Sequence, residues 1–471
     1  MTLFVLMIVA AAMVWLLPLM RRGSLTAWLT AVIVVGVVVG PLYLSFDTPG
    51  LRLSIDRILM LLVGGLLAVA FRQGGLQRIT LVRHDWVLIA FVLWLGCRAV
   101  GMTAPEDESP PFSRWLTFIA MPAAIYAMAR FIKLERATLR SALSAVLVMG
   151  GYLSVIGLLE VTGRHHLVFP RYIVDPEEWE FFGRARGPLM NPIANGIVLL
   201  TSLGIASSRW LHSGRYGKVG YGVVVSLVGA GLAATLTRSV WMSCMLLAVL
   251  IAMVYLPRWT RVLALASCVF LAAMVAGGGA EGLLSIKRDK ELSASAAAKS
   301  VELRPLLLIV AWEMFQDRPI FGHGFGGYFE TSADYHQIRD YDLPLDTVRP
   351  YMQHNVITSI AVDTGLVGVV LLLIWMVSIA LVGWRLMANA AGNIETRCLG
   401  MMTVACVTGY LVNGMFHDVS VMPMINSVLF YCSALATNMN VSGLAEAKTR
   451  SVVRATPLGD RRRPPSVALS P

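Results

Sequence analysis

The chain has 471 residues, of which 57% are hydrophobic and only 14% are charged, and its mean hydropathy is +0.69. Soluble domains carry about 25% charged residues, so this composition excludes a soluble globular protein. The net charge of +11 does not indicate a generally basic surface, because many of the basic residues lie in the short loops that connect the apolar segments. We predict an all-α, polytopic integral membrane protein.

Apolar runs of about 20 residues, the length that crosses a hydrocarbon core, recur along the chain. Allowing for segments that are short or contain Gly and Pro, we predict about 12–13 transmembrane helices. The candidate segments are 2–20, 25–46, 55–71, 86–101, 112–132, 140–161, 188–207, 219–237, 239–256, 261–277, 354–384, 397–415 and 420–437. The first segment lacks the basic region of a cleaved signal peptide, so we expect a retained helix with its N-terminus outside.

Basic residues lie on alternate turns between these segments, and the positive-inside rule therefore places those turns in the cytoplasm. The basic tail at 439–471 joins them, as a disordered extension that lies against membrane lipid rather than binding nucleic acid. The two longest loops, 162–187 and 278–353, fall on the opposite, outer face. The basic turns contain Arg21, Arg22, Arg72, Arg78, Arg83, Arg130, Lys133, Arg136, Arg140, Arg209, Arg215, Lys218, Arg258, Arg261, Arg385 and Arg397.

This pattern divides the chain into alternating membrane and loop regions. We expect transmembrane helices at 1–161, 188–277 and 354–438, the two outer loops between them, and the tail after them. The six cysteines all fall in apolar segments without metal-ligand spacing, so we predict small packed side chains and no metal site. The Asp340-Tyr341-Asp342 run has the form of a nucleotide-sugar metal motif, but its outer location argues against that role.

Three arginines stand where outer loops meet predicted helices. Arg238 lies in a Thr-Arg-Ser turn, Arg304 opens the apolar stretch 306–315, and Arg186 precedes the Gly187-Pro188 helix start. We expect 306–315 to form a short amphipathic helix on the membrane surface. Guanidinium groups are costly at a lipid boundary without a partner, and they bind phosphate or diphosphate bidentately. Structural ion pairing is the alternative for each.

The His354-Asn355 pair begins the long helix after the second outer loop. Imidazole, with an unperturbed pKa near 6.5, suits removal of a proton from a hydroxyl near neutral pH. The alternative is a structural hydrogen-bonding role. Asp363 lies deeper in the same helix, where a carboxylate needs a partner, and we name it with His354 as a candidate catalytic residue. His417-Asp418, between the last two helices, is a second possible pair.

These motifs occur in a characteristic order: Arg238 in its turn, Arg304 before Trp312-Glu313-Met314-Phe315, the run Pro319-Ile320-Phe321-Gly322-His323-Gly324-Phe325-Gly326, and His354-Asn355. The order resembles the O-antigen ligase and O-antigen polymerase (Wzy-type) superfamily of bacterial envelope enzymes. The region from 187 to about 381 is the most similar.

The resemblance implies a GT-C-like glycosyltransferase of the bacterial inner membrane, with its active site facing the periplasm and a large periplasmic loop before the His-Asn helix. The implied donor is a glycan on undecaprenyl diphosphate, and the acceptor is another glycan or lipid A-core. No metal or other cofactor is implied. Arg238 and Arg304 would hold the diphosphate and His354 would activate the acceptor hydroxyl, whereas family members often carry Glu where Asp363 stands.

Ligase and polymerase differ only in their acceptor. We lean slightly to a polymerase, because the basic and aromatic loop 162–187 offers a surface for a growing chain. The alternative from another class is a transporter or flippase of lipid-linked substrates. Such a protein would line a path with charges from both sides and show repeated halves, whereas the charges here collect on one face.

Overall fold

The computed structural model describes residues 24–40, 42–43, 45–48, 51–103, 109–178, 180–263, 265–266, 294–337, 343–390 and 392–455. The predicted segment 2–20 lies outside these residues, as does most of the predicted segment 261–277. The Asp340-Tyr341-Asp342 run and the end of the tail, 456–471, also lie outside them.

Helices make up most of the described chain, and the predicted apolar segments between 55 and 256 and from 354 onward largely coincide with helix. The segment predicted at 25–46 is helical only to Val39, and its last two residues lie in a strand. One short antiparallel hairpin pairs β1 (Ser45–Thr48) with β2 (Leu51–Ser54), with Ser45 opposite Ser54. The helices are α1 (Leu25–Val39), α2 (Ile55–Arg72), α3 (Arg83–Ala99), α4 (Pro111–Trp115), α5 (Met121–Arg130), α6 (Arg136–Val161), α7 (Pro192–His212), α8 (Arg215–Ala234), α9 (Arg238–Tyr255), α10 (Ala294–Asp317), α11 (Tyr328–Ser332), α12 (Val356–Ala388), α13 (Ile394–Gly414) and α14 (Pro423–Ala455). A π-helical turn, Leu116–Ala120, joins α4 to α5.

Within the described ranges, α6, α8, α9 and α12 are long and apolar enough to cross a membrane. Helix α13 lies in the middle of the bundle and packs against α7, α9, α12 and α14. It is buried around almost its whole circumference, which is typical of a core helix. Together with the composition, these helices identify a helical membrane protein.

At the end of the bundle where the basic turns lie, several arginines are paired. Arg130 donates from Nη2 to Asp85 Oδ2 over 2.9 Å, with both side chains 3% exposed. Arg136 and Arg140 share Glu395, at 3.0 and 2.7 Å. The sequence pattern predicted only a topological role for these arginines, and the structure adds that they join α5 to α3 and α6 to α13.

Helix α12 is interrupted at Gly365, which has a φ of 68°. The segment 319–326 approaches this break and replaces helical hydrogen bonds with its own. Leu366 N donates to Pro319 O over 2.8 Å, and Gly324 N donates to Asp363 O over 2.9 Å. A Cβ on Gly365 would lie 2.1 Å from Ile320 O, so only glycine permits this approach. The glycine-rich run is therefore docked against α12.

Two parts of the structure differ from the sequence-based expectation. Arg304 lies inside α10, whereas we expected it just before a helix at 306–315. The helix begins earlier because the residues before Arg304 include several alanines, which have the highest helix propensity. Helix α14 continues to Ala455, so 439–455, expected to be disordered, is helical; Ala, Glu, Lys and Arg in this stretch favour helix.

Candidate functional site

A cavity of about 160 Å³ lies where α10, the start of α12 and the end of α13 meet. We call it the His354 cavity. Its polar lining comes from Arg304, Gln353, His354, Asn355 and Thr358. Its apolar lining is Leu307, Leu308, Met415 and Phe416. The structure thus brings together two residues, Arg304 and His354, that stand far apart in the sequence.

Arg304 is held by a small separate core. Leu303, Leu307 and Val310 of α10 pack against Val348 and Val362, which fixes this helix beside the first turns of α12. The side chain of Arg304 is half-buried, and burial lowers the pKa of its guanidinium. Its buried Nε has no hydrogen-bond partner among the described residues. A buried donor without a partner in a cavity wall is a position where an anionic ligand gains affinity.

His354 stands two residues before α12, and Asn355 fixes its position. The Asn355 side chain caps the helix by accepting from Ile357 N over 2.8 Å, and its Nδ2 donates to Met415 O over 3.0 Å. The His354 ring lies 6.5 Å from the His417 ring, centroid to centroid. Burial lowers the pKa of His354 and Arg304 adds to the shift, while Asp418 opposes it. A neutral imidazole at neutral pH is the form that accepts a proton.

Arg238 is the first residue of α9 and lies close enough to Arg304 for their charges to repel. A tight turn presents it: Leu236 has a φ of 49°, and Thr237 is the residue that precedes the helix. Two guanidinium groups near each other repel, and an anion bound between them would offset that repulsion. Arg238 does not line the His354 cavity, and its joint action with Arg304 stays a prediction.

Arg186 does not line the His354 cavity. It is only 1% exposed, and its guanidinium donates to backbone carbonyls. The acceptors are Ile173 O at 2.6 Å, Glu180 O at 2.7 Å and Glu178 O. Its donors are therefore occupied by the chain, and its observed contacts organise the loop 162–187.

Asp363 also lies outside the His354 cavity lining. As expected for a carboxylate within an apolar helix, it has a hydrogen-bond partner: Oδ2 accepts from Gly326 N over 2.9 Å. His323, from the same glycine-rich run, has its Nε2 2.8 Å from Met314 O and its backbone N bonded to Val362 O. These contacts join α10, the glycine-rich run and α12 into one unit.

Arg184, in the first outer loop, is not among the candidate residues identified from the sequence, yet the structure gives it a role beside Arg238. It is buried, donates from Nε to Thr235 O over 3.2 Å, and donates from Nη2 to Thr237 Oγ1 over 2.6 Å. It therefore holds the turn that presents Arg238. The only sequence signal is its place two residues before Arg186, because its partners lie 51 and 53 residues further along the chain.

The His354 cavity combines a guanidinium group, an imidazole whose pKa is lowered by burial, and an apolar wall. Within the described ranges, no group of three or more His, Cys, Asp or Glu side chains is placed to hold a metal ion. Charge neutralisation by guanidinium groups and proton removal by an imidazole suit a transfer reaction with an anionic leaving group.

A comparison with protein families identifies part of the chain. The family described as O-antigen ligase (Wzy_C) matches residues 223–373. The matched region begins in α8, ends in α12, and includes Arg238, Arg304 and His354. A comparison with curated proteins gives no match. Residues 223–373 are therefore similar to the O-antigen ligase family, and this similarity covers the part of the chain that holds Arg238, Arg304 and His354.

Proposed function

We propose that the protein is a GT-C-like membrane glycosyltransferase that transfers or polymerises glycan from an undecaprenyl-diphosphate donor, for O-antigen or exopolysaccharide assembly. The reaction takes place at the periplasmic face of the bacterial inner membrane, without a metal. The observation that carries the proposal is the His354 cavity, in which Arg304 and His354 share one wall.

In the reaction, an acceptor hydroxyl attacks the anomeric carbon of the donor sugar. The bond between that carbon and the diphosphate oxygen breaks as the new glycosidic bond forms. Arg304 and Arg238 neutralise the charge that develops on the departing diphosphate, where preorganised donors contribute most. His354 takes the proton of the attacking hydroxyl, and its lowered pKa keeps it neutral for that step.

The remaining predicted site residues act indirectly in this proposal. Asp363 holds the glycine-rich run against α12, and so supports the position of α10 and Arg304. Arg186 holds the backbone carbonyls of Glu178 and Glu180 in the first outer loop. Neither needs to contact the substrate.

The first outer loop gives slight support to one of the two acceptors. We favour a polymerase, with a ligase that transfers onto lipid A-core as the alternative, because the loop at 162–187 carries arginines and aromatic rings beside the turn of Arg238. A transporter or flippase is the alternative from another class. It is less favoured because Arg238, Arg304 and His354 gather at one end of the helices.

Complementation of a deletion strain tests the proposal. Wild type and the variants Arg238→Ala, Arg304→Ala and His354→Ala are expressed, their membrane levels are compared, and the envelope polysaccharide is separated on a gel. We expect each variant to be present in the membrane and to abolish transferred or long-chain glycan. Single repeats on lipid A-core would identify a polymerase, and bare lipid A-core would identify a ligase.

Two control variants separate loss of function from loss of folding. Arg318→Ala removes a 60% exposed arginine at the end of α10. His212→Ala removes a half-buried histidine at the opposite end of the bundle. Both should retain the wild-type glycan pattern. An unchanged pattern in all three site variants would instead favour transport.

A further inference from the structure

A third polar side chain in the wall of the His354 cavity has no part in the reaction described so far. Gln353 directly precedes His354, and it lines the cavity together with Arg304. Gln353 is only 7% exposed, and its amide Nε2 is buried without a hydrogen-bond partner among the described residues. The cavity wall therefore contains a neutral donor that this part of the chain leaves unused.

The neighbouring amide, Asn355, has a structural role instead. Its Oδ1 accepts from Ile357 N over 2.8 Å and from Thr358 N over 3.1 Å. Its Nδ2 donates to Met415 O over 3.0 Å. Asn355 therefore fixes the start of α12, whereas no such bond occupies the Nε2 of Gln353.

An unused buried donor destabilises a folded protein, because the donor has lost water and gained no acceptor. Folded proteins pair nearly all such groups, so each exception calls for an explanation. When the side chain lines a cavity, a ligand with a hydrogen-bond acceptor supplies the missing partner. Gln353 therefore indicates a contact with a substrate.

The chemistry of the cavity wall favours a sugar as the partner of Gln353. A phosphate group pairs more strongly with the guanidinium of Arg304, because hydrogen bonds between charged groups are the strongest. A neutral amide N–H suits the hydroxyl oxygen of a sugar. Met415 and Phe416 add an apolar surface, on which the C–H face of a sugar ring can pack.

Gln353 and His354 are placed to contact one sugar ring. They are consecutive residues, so their Cα atoms are about 3.8 Å apart, and both line the same cavity. We propose that Gln353 binds the acceptor sugar whose hydroxyl His354 activates, with Nε2 donating to the oxygen of a neighbouring hydroxyl on the same ring. This inference rests on the proposed glycosyl transfer, and it makes Gln353 a sugar-binding residue.

The substitution Gln353→Met separates sugar binding from a role in folding. Methionine keeps an unbranched side chain of similar shape and removes the amide, and with it the unused donor. In purified full-length protein without substrate, we expect a melting temperature equal to or above that of wild type. A second variant, Gln353→Leu, should behave in the same way. A lower melting temperature in both variants would show that Gln353 supports the fold and would overturn the proposal.

Two control variants carry the same change at other amides. Gln337→Met, at an exposed glutamine in the turn Asp334–Gln337, should change neither the melting temperature nor the transfer rate. Asn355→Met should lower the melting temperature, because α12 loses its cap. A melting temperature lowered as much by Gln353→Met as by Asn355→Met would contradict the distinction between the two amides.

Two probes then test what Gln353 binds. The first is undecaprenyl diphosphate, which carries no sugar: Gln353→Met should bind it as wild type does, whereas Arg304→Ala should lose it. The second is the acceptor fraction that supports transfer, either lipid A-core or lipid-linked glycan extracted from the deletion strain. Gln353→Met should need about three- to tenfold more of this acceptor for half-maximal rate, the contribution of one neutral hydrogen bond. Weakened binding of undecaprenyl diphosphate would place Gln353 at the diphosphate and overturn the proposal.

These outcomes separate the inference from the proposed function. If the wild-type protein transfers no glycan to either extract, glycosyl transfer is wrong and the Gln353 assignment is wrong with it. If wild type transfers glycan and Gln353→Met needs no more acceptor, only the Gln353 assignment is wrong and the proposed function stands.

Discussion

Arg184 donates from Nη2 to Thr237 Oγ1 over 2.6 Å, and this contact joins the first outer loop to the turn that presents Arg238. A second bond, from Nε to Thr235 O, fixes the other side of the turn. The backbone reinforces the pairing, since Ala185 N donates to Ala234 O over 3.0 Å. The position of Arg238 therefore depends on a loop that lies outside the family match at 223–373.

Arg184→Ala should weaken donor binding without removing any group from the His354 cavity. Hydrogen bonds to a charged group contribute about 1.5–3 kcal/mol, so we expect the donor KM to rise about tenfold or more, with a smaller change in kcat. Steady-state kinetics on purified protein measure both constants.

Arg209→Ala is the matched control for that prediction. Arg209 also donates to side chains, Tyr221 OH and Ser144 Oγ, and its guanidinium lies 5.8 Å from the Tyr221 ring centroid, but at the opposite end of the bundle. It should lower stability and leave the donor KM unchanged. A donor KM raised equally in both variants would show that Arg184 acts only through general stability.

The transfer rate should depend on pH through His354. Burial and Arg304 lower the pKa of this imidazole below its usual value of about 6.5, so the base is lost only as pH falls through that lowered value. Arg304→Gln removes one of the two causes, so the acidic limb of its residual activity should move to higher pH. Rate profiles for both proteins between pH 4.5 and 8 measure the shift. If the rate falls at the same pH in the two proteins, Arg304 does not affect the pKa of the titrating group, which would contradict its assignment to His354.

Gly365→Ala should release the glycine-rich run from α12. The substitution places a side chain at a φ of 68° and a Cβ 2.1 Å from Ile320 O, and strained backbone of this kind costs about 1–3 kcal/mol before the clash is counted. We expect a lower melting temperature in detergent and faster proteolysis at 319–327.

Gly65→Ala controls for the change of residue type. A Cβ at this position in α2 meets no atom within 4 Å, and alanine is favoured over glycine in a helix by about 1 kcal/mol. This variant should be as stable as wild type or more so. Equal destabilisation by the two changes would argue against the docked arrangement.

The buried pair of Arg130 and Asp85 should be costly to break. Removing one partner of a buried ion pair typically costs about 3–5 kcal/mol, because the other charge stays buried. Asp85→Ala should therefore lower the melting temperature far more than Glu330→Ala, which removes an exposed carboxylate bonded to Thr103. Similar melting temperatures for the two variants would mean that the pair contributes little.

The helices could be predicted from the sequence because apolar runs of membrane length leave little ambiguity, and the His354 helix start was within two residues of the observed one. The order of motifs along the chain predicted that Arg304 and His354 belong to one site, and both residues line one cavity in the structure. The sequence analysis singled out Arg186 rather than Arg184, since two arginines so close together in one loop show no pattern that tells which one contacts the turn of Arg238. Only the folded chain shows that one bonds the turn of Arg238 and the other bonds its own loop.

The break in α12 was equally hidden in the sequence. The sequence predicts one continuous apolar helix through Asp363-Thr364-Gly365, and a glycine within such a helix is common. The interruption depends on the segment 319–326, which bonds to α12 from about forty residues away. Contacts of this range leave no periodic pattern in the sequence.

The most direct measurement separates donor binding from transfer in purified protein. Binding of an undecaprenyl-diphosphate glycan and its transfer to acceptor are measured for wild type, Arg304→Ala and His354→Ala. We expect Arg304→Ala to lose donor binding, whereas His354→Ala should bind the donor normally and transfer no glycan. Normal transfer by His354→Ala, or normal donor binding by Arg304→Ala, would contradict it.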